Sequence, residues 1–152
     1  LVEQALSTRG FEHYEVSNYA KPGKRAVHNG NYWKGKAYLG LGPGAHSFDG
    51  KSTRRWNVSN NAQYLKQQDW YEEETLSADN QWNELWLTGL RTQHGVSTER
   101  IDALGGFRAE EQGMIEALIK QDKIHVQHNS YCLAPDHWLA ADGISMQLFR
   151  AG

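Results

Sequence analysis

From Tyr38 to Ser47 the chain reads Tyr-Leu-Gly-Leu-Gly-Pro-Gly-Ala-His-Ser, a short apolar run interrupted by glycine at 40, 42 and 44 and by Pro43. Tyr38–Leu41 reads as a short buried strand with apolar side chains pointing both ways, which Gly42-Pro43-Gly44 ends abruptly. In α/β folds ligands bind beyond the C-terminal ends of such strands, which is where Gly42–Ser47 would fall. Just upstream, His28-Asn29-Gly30-Asn31-Tyr32-Trp33 packs a histidine, two amides and two large aromatics into six residues. No ordinary hairpin or helix asks for that mixture. It suits a place where backbone and aromatic faces approach something that is not protein.

The flanks frame this stretch. Val2, Ala5 and Leu6 sit at helical spacing, Arg9 favours a helix C-terminus, and Gly10 makes a natural stop. A chain that begins inside a helix, without an initiator Met, is expected to be a C-terminal piece of a longer protein. Phe11–Ser17 reads as a strand, so helix, glycine and strand form an αβ unit of the kind that builds parallel α/β folds. Asn18–Val27 is a loop with turn chemistry at Lys21-Pro22-Gly23. One helix and two strands cannot close a barrel, so residues 1–50 read as the last part of a sheet. Residues 51–77 read as a polar connector, with a helix over 60–68 and a solvated Glu72-Glu73-Glu74 run.

Residues 78–152 read as a compact helical domain. Asp79 is a candidate cap for a helix whose stripe is Trp82, Leu85, Trp86 and Leu90. Ser97 caps a short helix to Leu104, and Phe107–Asp122 forms the next. Ile124–Val126 and Tyr131–Leu133 alternate as two small strands around His128-Asn129-Ser130, and Pro135 opens a last helix. Three helices, a two-stranded ribbon and a closing helix make a winged-helix-like arrangement. The helix before the wing carries Arg108 and Lys120 against Glu110, Glu111, Glu116 and Asp122, so it would repel a phosphate backbone, and no nucleic acid is expected as a partner.

Bulk composition narrows the function further. Lys+Arg total 16 and Asp+Glu 18, a net charge of −2, so no overall field draws the chain to nucleic acid or anionic lipid. There is no apolar run long enough for a transmembrane segment and no export signal. The single Cys132 excludes an internal disulfide and fits a reducing, cytoplasmic setting. Six tryptophans and seven tyrosines favour aromatic packing or a site for a flat ligand. No Ser-His-Asp arrangement, P-loop or His-Glu-x-x-His motif is present.

Among the histidines, His28 is the sharpest candidate, because imidazole ligates haem iron and flanking aromatics can stack on a porphyrin. Composition alone favours the plainer alternative, a structural histidine hydrogen-bonded in a loop. His46 follows a glycine-rich strand end where backbone N–H groups can approach a cofactor, and a simple turn histidine weighs equally. His125 and His128 fall in the wing and read as solvated, His137 as a surface residue, and His13 and His94 have no supporting pattern.

Glu15-Val16-Ser17-Asn18-Tyr19-Ala20, then His28-Asn29-x-x-Tyr32-Trp33, then Tyr38–Ser47, resembles in order and spacing the oxygen-independent coproporphyrinogen III oxidase-like branch of the radical SAM superfamily, and its haem chaperones most of all. The segment Glu84–Gly95 and the winged tail resemble that family's C-terminal domain. The resemblance implies the C-terminal portion of a radical SAM partial (β/α) barrel followed by a winged-helix-like domain. It implies haem attachment at His28 as the iron ligand, with Asn29, Tyr32 and Trp33 beside it, and S-adenosylmethionine close to Gly44, Ala45 and His46. It also implies haem-acceptor proteins as partners. Members of the family hold a 4Fe–4S cluster on a Cys-x-x-x-Cys-x-x-Cys motif, which a chain with Cys132 alone lacks; cluster and S-adenosylmethionine are expected only in the full-length parent, and this chain alone should be catalytically inactive. The alternatives are a piece of a coproporphyrinogen III oxidase, against which the complete His28–Trp33 motif argues, and a winged module that acts alone on a protein. Exposed strand edges before Ser47 make a dimer plausible.

Overall fold

The computed structural model describes residues 2–67 and 69–151. Leu1 and Gln68, which the sequence reading put in helices, lie outside the described residues, as does Gly152.

The core gathers around α4, Ala78–Gly89. Its cap is Ser77, whose side chain accepts from the Asn80 N–H at 3.1 Å. The expected cap, Asp79, instead accepts from Arg108 at 2.6 Å. The predicted stripe is buried: Trp82, Leu85, Trp86 and Leu90 pack with Val96, Ile101, Ile115, Leu118, Ile124, Leu133, Ile144 and Leu148 in one cluster. These partners come from α5 (Thr98–Ala103, capped by Ser97 as expected), α6 (Ala109–Lys120), the closing helical turns that carry Ile144 and Leu148, and an antiparallel sheet. That sheet orders the edge strand β6 (Val96–Ser97), β8 (Ser130–Leu133) and β7 (Ile124–Gln127). His128 and Asn129 both take positive φ, 48° and 57°, the conformation a tight hairpin turn requires. After Pro135 the single helix expected is divided into a 3-10 stretch Pro135–Ala140, a short α7 Ala141–Ser145 and a 3-10 turn Met146–Leu148.

The amino-terminal part departs from the expected αβ unit. α1 (Val2–Ser7) leads to β1 (Glu12–Glu15), but β1 turns back on β2 (Asn18–Ala20) in an antiparallel pair. The cause is local: the buried Glu15 carboxylate accepts from the Ser17 N–H at 2.6 Å and from Asn18 Nδ2 at 2.8 Å, which closes the turn. The hairpin hangs on the end of α4 through Val16 N–H to Arg91 O, 2.9 Å, and Gln93 N–H to Tyr14 O, 3.2 Å.

The middle departs further. The segment expected as connector folds with its neighbours into a three-stranded antiparallel sheet, β3 (His46–Phe48), β4 (Thr53–Asn57) and β5 (Tyr71–Thr75), with α3 (Asn61–Lys66) between the last two strands. Polar strands conceal themselves from a hydropathy reading. Register sets Arg54 opposite Glu74 and Arg55 opposite Glu73, while the guanidinium groups are engaged elsewhere: Arg54 pairs with Glu84, and that of Arg55 sits 4.8 Å from the Tyr71 ring and 5.3 Å from the Trp70 ring. The glutamate run is therefore an exposed edge strand rather than plain surface, and its charge discourages edge-to-edge pairing. Tyr38–Leu41 is not a buried strand. Only Tyr38 bridges, to Phe48, while Leu39 and Leu41 are 67% and 81% exposed. Among the described residues every strand pairing is antiparallel.

The carboxyl end is fastened by a buried ion pair. Arg150 Nε lies 2.6 Å from Glu111 Oε1 and its Nη2 2.9 Å from Oε2, with both residues 8% exposed. The guanidinium also rests 3.6 Å from the Trp82 ring and donates to Gly106 O at 2.7 Å. Burial alone would raise the Glu111 pKa, but the Arg150 hydrogen bonds and charge and the Arg108 N–H outweigh it and hold it below the ordinary 4.5. Its stabilisation is thus complete above the ordinary value and lost as pH falls through the depressed one. Glu111→Ala or Arg150→Ala, each leaving an uncompensated buried charge, is expected to cost about 3–5 kcal/mol in denaturant unfolding. The wild type should lose stability below the ordinary glutamate value more steeply than an Arg150→Met, Glu111→Leu double variant.

Candidate functional site

The segment Val27–Trp33 is a helix, α2, and not the loop in which a structural histidine was expected. Seven residues with a glycine inside are far below the length at which a helix stands alone, about 12 residues. Its stop signal is Gly35 at φ +63°. Gly35 N–H bonds Tyr32 O at 3.0 Å and Lys36 N–H bonds Asn31 O at 3.0 Å, the paired pattern of a left-handed helix cap. Helical geometry sets His28 and Tyr32 four residues apart on one face, and Asn29 and Trp33 on the next. Trp33 docks the helix: Arg91, ion-paired with Asp142 at 2.7 Å, lies 5.8 Å from its ring. Tyr32 meets Trp33 at 5.0 Å and Tyr38 at 5.8 Å, and Tyr38 meets Phe48 at 6.3 Å, so an aromatic line runs from α2 to β3.

None of the four polar side chains His28, Asn29, Tyr32 and Trp33 makes a hydrogen bond among the described residues. His28 is exposed, Asn29 and Trp33 are half-buried, and Tyr32 is 45% exposed. The Nε1–H of Trp33 is buried and unpartnered. Two cavities flank the helix. One, of about 460 Å³, is walled by Tyr32, Tyr38, Phe48, Leu85 and Leu104, with the Arg54–Glu84 ion pair and Arg100 on its polar side. Burial raises the Glu84 pKa, against the pull of Arg54. The other, about 270 Å³, is lined by Trp33, Asn31, Lys34, His94 and Arg100. His94 is held below the ordinary histidine value by burial, then by Lys34 and Arg25. His28 lines neither cavity.

Gly44, Ala45 and His46 stand apart from this helix. His46 is exposed at the start of β3, opposite Trp56, with the rings 6.2 Å apart. The loop before it is bound into the protein. Gly40 N–H donates to Ser47 Oγ at 3.0 Å, Gly42 N–H to the Tyr64 hydroxyl at 3.2 Å, and Gly44 N–H to Val58 O at 3.1 Å. Asn57 Nδ2 donates to Gly42 O at 2.8 Å. Gly40 has no room for a side chain, since a Cβ there would overlap the main chain of His46. With those amides occupied, the loop offers a neighbouring ligand shape and the His46 ring, not a cradle of free donors. Nor do the residues fit a 4Fe–4S cluster: among the described residues no three His, Cys, Asp or Glu side chains gather, and Cys132 is buried with its thiol pKa raised by that burial. No step through a cluster is assigned to this chain.

The remaining histidines divide. His125 and His128 are exposed on the β7–β8 hairpin, as expected, and His137 is half-buried. His13, which lacks a supporting sequence pattern, is a packing residue: it stacks on Tyr19 with ring centroids 4.0 Å apart and meets Trp138 at 4.3 Å. Arg100, Arg54 and Glu84 reach the site from distant elements, and nothing in their local sequence marks them.

The fold matches that of a radical SAM enzyme, the coproporphyrinogen III oxidase HemN of Escherichia coli: TM-score 0.68 over 97% of this chain and 39% of that one, at 16% identity. No protein-family profile matches the chain. By sequence it is 38% identical over 122 residues to the heme chaperone HemW of Mycobacterium tuberculosis, which is 72% of this chain and 29% of that protein. It is 33% identical over 105 residues to HemW of Bacillus subtilis, 66% of this chain and 27% of that one. The chain is similar to HemW proteins over a region that spans under a third of the length of these curated relatives.

The glycines of the two segments should answer oppositely to alanine. Gly30→Ala meets open space and is expected to stabilise the protein slightly, by about 0.5–1 kcal/mol, whereas Gly40→Ala should lower the thermal midpoint by displacing β3. Thermal unfolding of the two variants beside the wild type checks both.

Proposed function

We propose that this chain carries the haem-attachment segment of a haem chaperone, holding haem through His28 on α2 and passing it to haem-dependent acceptor proteins. The observation that carries this reading is the idleness of the four side chains: His28, Asn29, Tyr32 and Trp33 have no hydrogen-bonding duty among the described residues, yet the helix that presents them is capped and docked. A neutral imidazole is an iron ligand, and Tyr32 one turn along offers a ring beside it. An exposed ligand on a rigid helix suits cargo that must leave again. Similarity to the HemW proteins supports the same assignment, and the HemN fold supports S-adenosylmethionine and a 4Fe–4S cluster as cofactors of a longer parent protein. Gly44, Ala45 and His46 are proposed as the S-adenosylmethionine side.

The element order α4, β6, α5, α6, β7, β8 supports reading residues 78–152 as a winged-helix-like domain, after a barrel-derived part over 1–50 and a linking part over 51–77. The acidic surface of α6 favours a protein partner or an internal packing role over nucleic acid. No described helix is long and apolar enough to cross a membrane, and a cytoplasmic site of action is part of the same proposal. A dimer through the strand edges before Ser47 belongs to the same proposal, while the separate, glutamate-rich β5 edge discourages pairing there.

The test is a haem titration followed by absorption, with wild type and His28→Ala side by side. Saturable one-to-one binding in the wild type, weakened at least tenfold in the variant, is expected. Equal binding by both removes His28 from the site and moves the oxidase reading ahead.

A further inference from the structure

Arg100 stands apart from the other arginines around α2. Arg25 is paired with Glu12, Arg54 with Glu84, and Arg91 with Asp142. The Arg100 main-chain N–H bonds the Ser97 side chain at 3.3 Å, but its guanidinium has no ion-pair or hydrogen-bond partner among the described residues. It is half-buried, and burial draws its pKa below the ordinary arginine value. Its Nη2 would lie 3.2 Å from a Cβ built at Gly35, so the group rests against the end of α2, whose carbonyls nonetheless take no bond from it. An unpaired cation removed from water is costly, and an arginine fork is shaped to receive a carboxylate.

A second observation points the same way. Arg100 is part of the wall common to the two cavities beside α2. The smaller of them also receives Trp33, whose buried Nε1–H lacks an acceptor. Two donors without acceptors therefore line one cavity of about 270 Å³, alongside the helix that bears His28. Lys34 adds positive charge to its lining, and Glu15, the acid there, is engaged by Ser17 and Asn18.

We infer that Arg100, with the Nε1–H of Trp33, receives a carboxylate of the ligand held at His28, so that a propionate of the tetrapyrrole is anchored there while its ring lies across Tyr32. This rests on the haem reading given above. Ligation fixes one point of a flat ligand and leaves it free to swivel; a carboxylate anchored near Gly35 fixes a second. The pair of contacts selects tetrapyrroles that keep their acid side chains.

The test compares haem with haem dimethyl ester, whose propionates carry no charge, on the wild type, Arg100→Gln, Arg100→Lys and Trp33→Phe. One charge-assisted contact should make wild-type binding of haem about tenfold to a hundredfold tighter than that of the ester. Arg100→Gln should bring haem down to the ester's affinity and leave the ester's own affinity unchanged, with Arg100→Lys recovering part of the difference and Trp33→Phe narrowing the haem-to-ester ratio by a smaller factor. Equal wild-type affinity for haem and ester overturns the inference and leaves the haem reading standing, a comparison that holds even should Arg100→Gln fail to fold. Absence of saturable binding of either compound removes the haem reading, and the inference with it.

Discussion

The buried Glu111–Arg150 pair against Trp82 sets what the rest of the chain can rely on. Three elements distant in sequence converge there: Trp82 on α4, Glu111 on the first turn of α6, and Arg150 after the last helical turn. Asn83 completes the join by accepting from the Arg150 N–H at 2.7 Å and donating to its carbonyl at 2.9 Å. Trp82 itself donates to Leu148 O at 2.8 Å. A buried ion pair is not in itself a strong source of stability, since desolvation offsets most of the attraction. Its effect is on position: with the Arg150 guanidinium held by both Glu111 oxygens and by Gly106 O, α4 is oriented relative to α6 and the closing segment. The other end of α4 supports β1 through residues 91 and 93, and the α2 helix rests on Arg91. The orientation fixed at Trp82 is thus passed along α4 to the candidate site.

That dependence explains how a seven-residue helix with an internal glycine can present a binding face. Its own propensity is insufficient, so its stability is tertiary. The Gly35 cap ends it sharply, and Trp33 inserts its ring beside the Arg91–Asp142 pair. Packing and capping use Trp33 and the backbone, leaving the polar atoms of His28, Asn29 and Tyr32 without internal work. Support comes from Trp33 and the cap, while the polar atoms of its neighbours on both faces stay available.

What the sequence made legible follows from the range of the forces involved. The α4 stripe, the Ser97 cap, the two-strand ribbon and the turn at 128–130 are local or periodic, and they form as read. The polar strands β4 and β5 pass for connector because what joins them lies between distant segments, in the backbone ladder, the Arg54–Glu84 pair and the Arg55 guanidinium on Trp70 and Tyr71, and no single window contains it. Phe11–Ser17 was read correctly as extended but paired wrongly, because a single buried carboxylate, Glu15, turns the chain back. Leu39 and Leu41 misled through their hydropathy: the Gly40 backbone packs so closely on His46 that the loop is held by main-chain contacts, and both leucines turn outward. The His28–Trp33 segment was singled out by residue type, but its helix was concealed by Gly30, and the sign that would have shown it was Gly35. Arg100, sixty-odd residues away, carried no local sign at all.

The geometry also bears on why such a site should be open. A ligand sealed inside a protein gains affinity from every contact and loses the means to leave, because each contact must break before an acceptor can approach. On the proposed reading, one imidazole at an exposed position contributes a directional bond while the opposite face of the iron stays accessible to an incoming ligand. A charged anchor at Arg100 would hold the ring's edge through a contact that water and a competing cation can replace stepwise. Exchange could then proceed with the helix intact, since neither His28 nor Arg100 takes part in the Gly35 cap or in the Trp33–Arg91 stack that keeps α2 in place. On the same reading the two cavities beside the helix would receive side groups of the ligand, while His28, which lines neither, would stand clear to hold the iron.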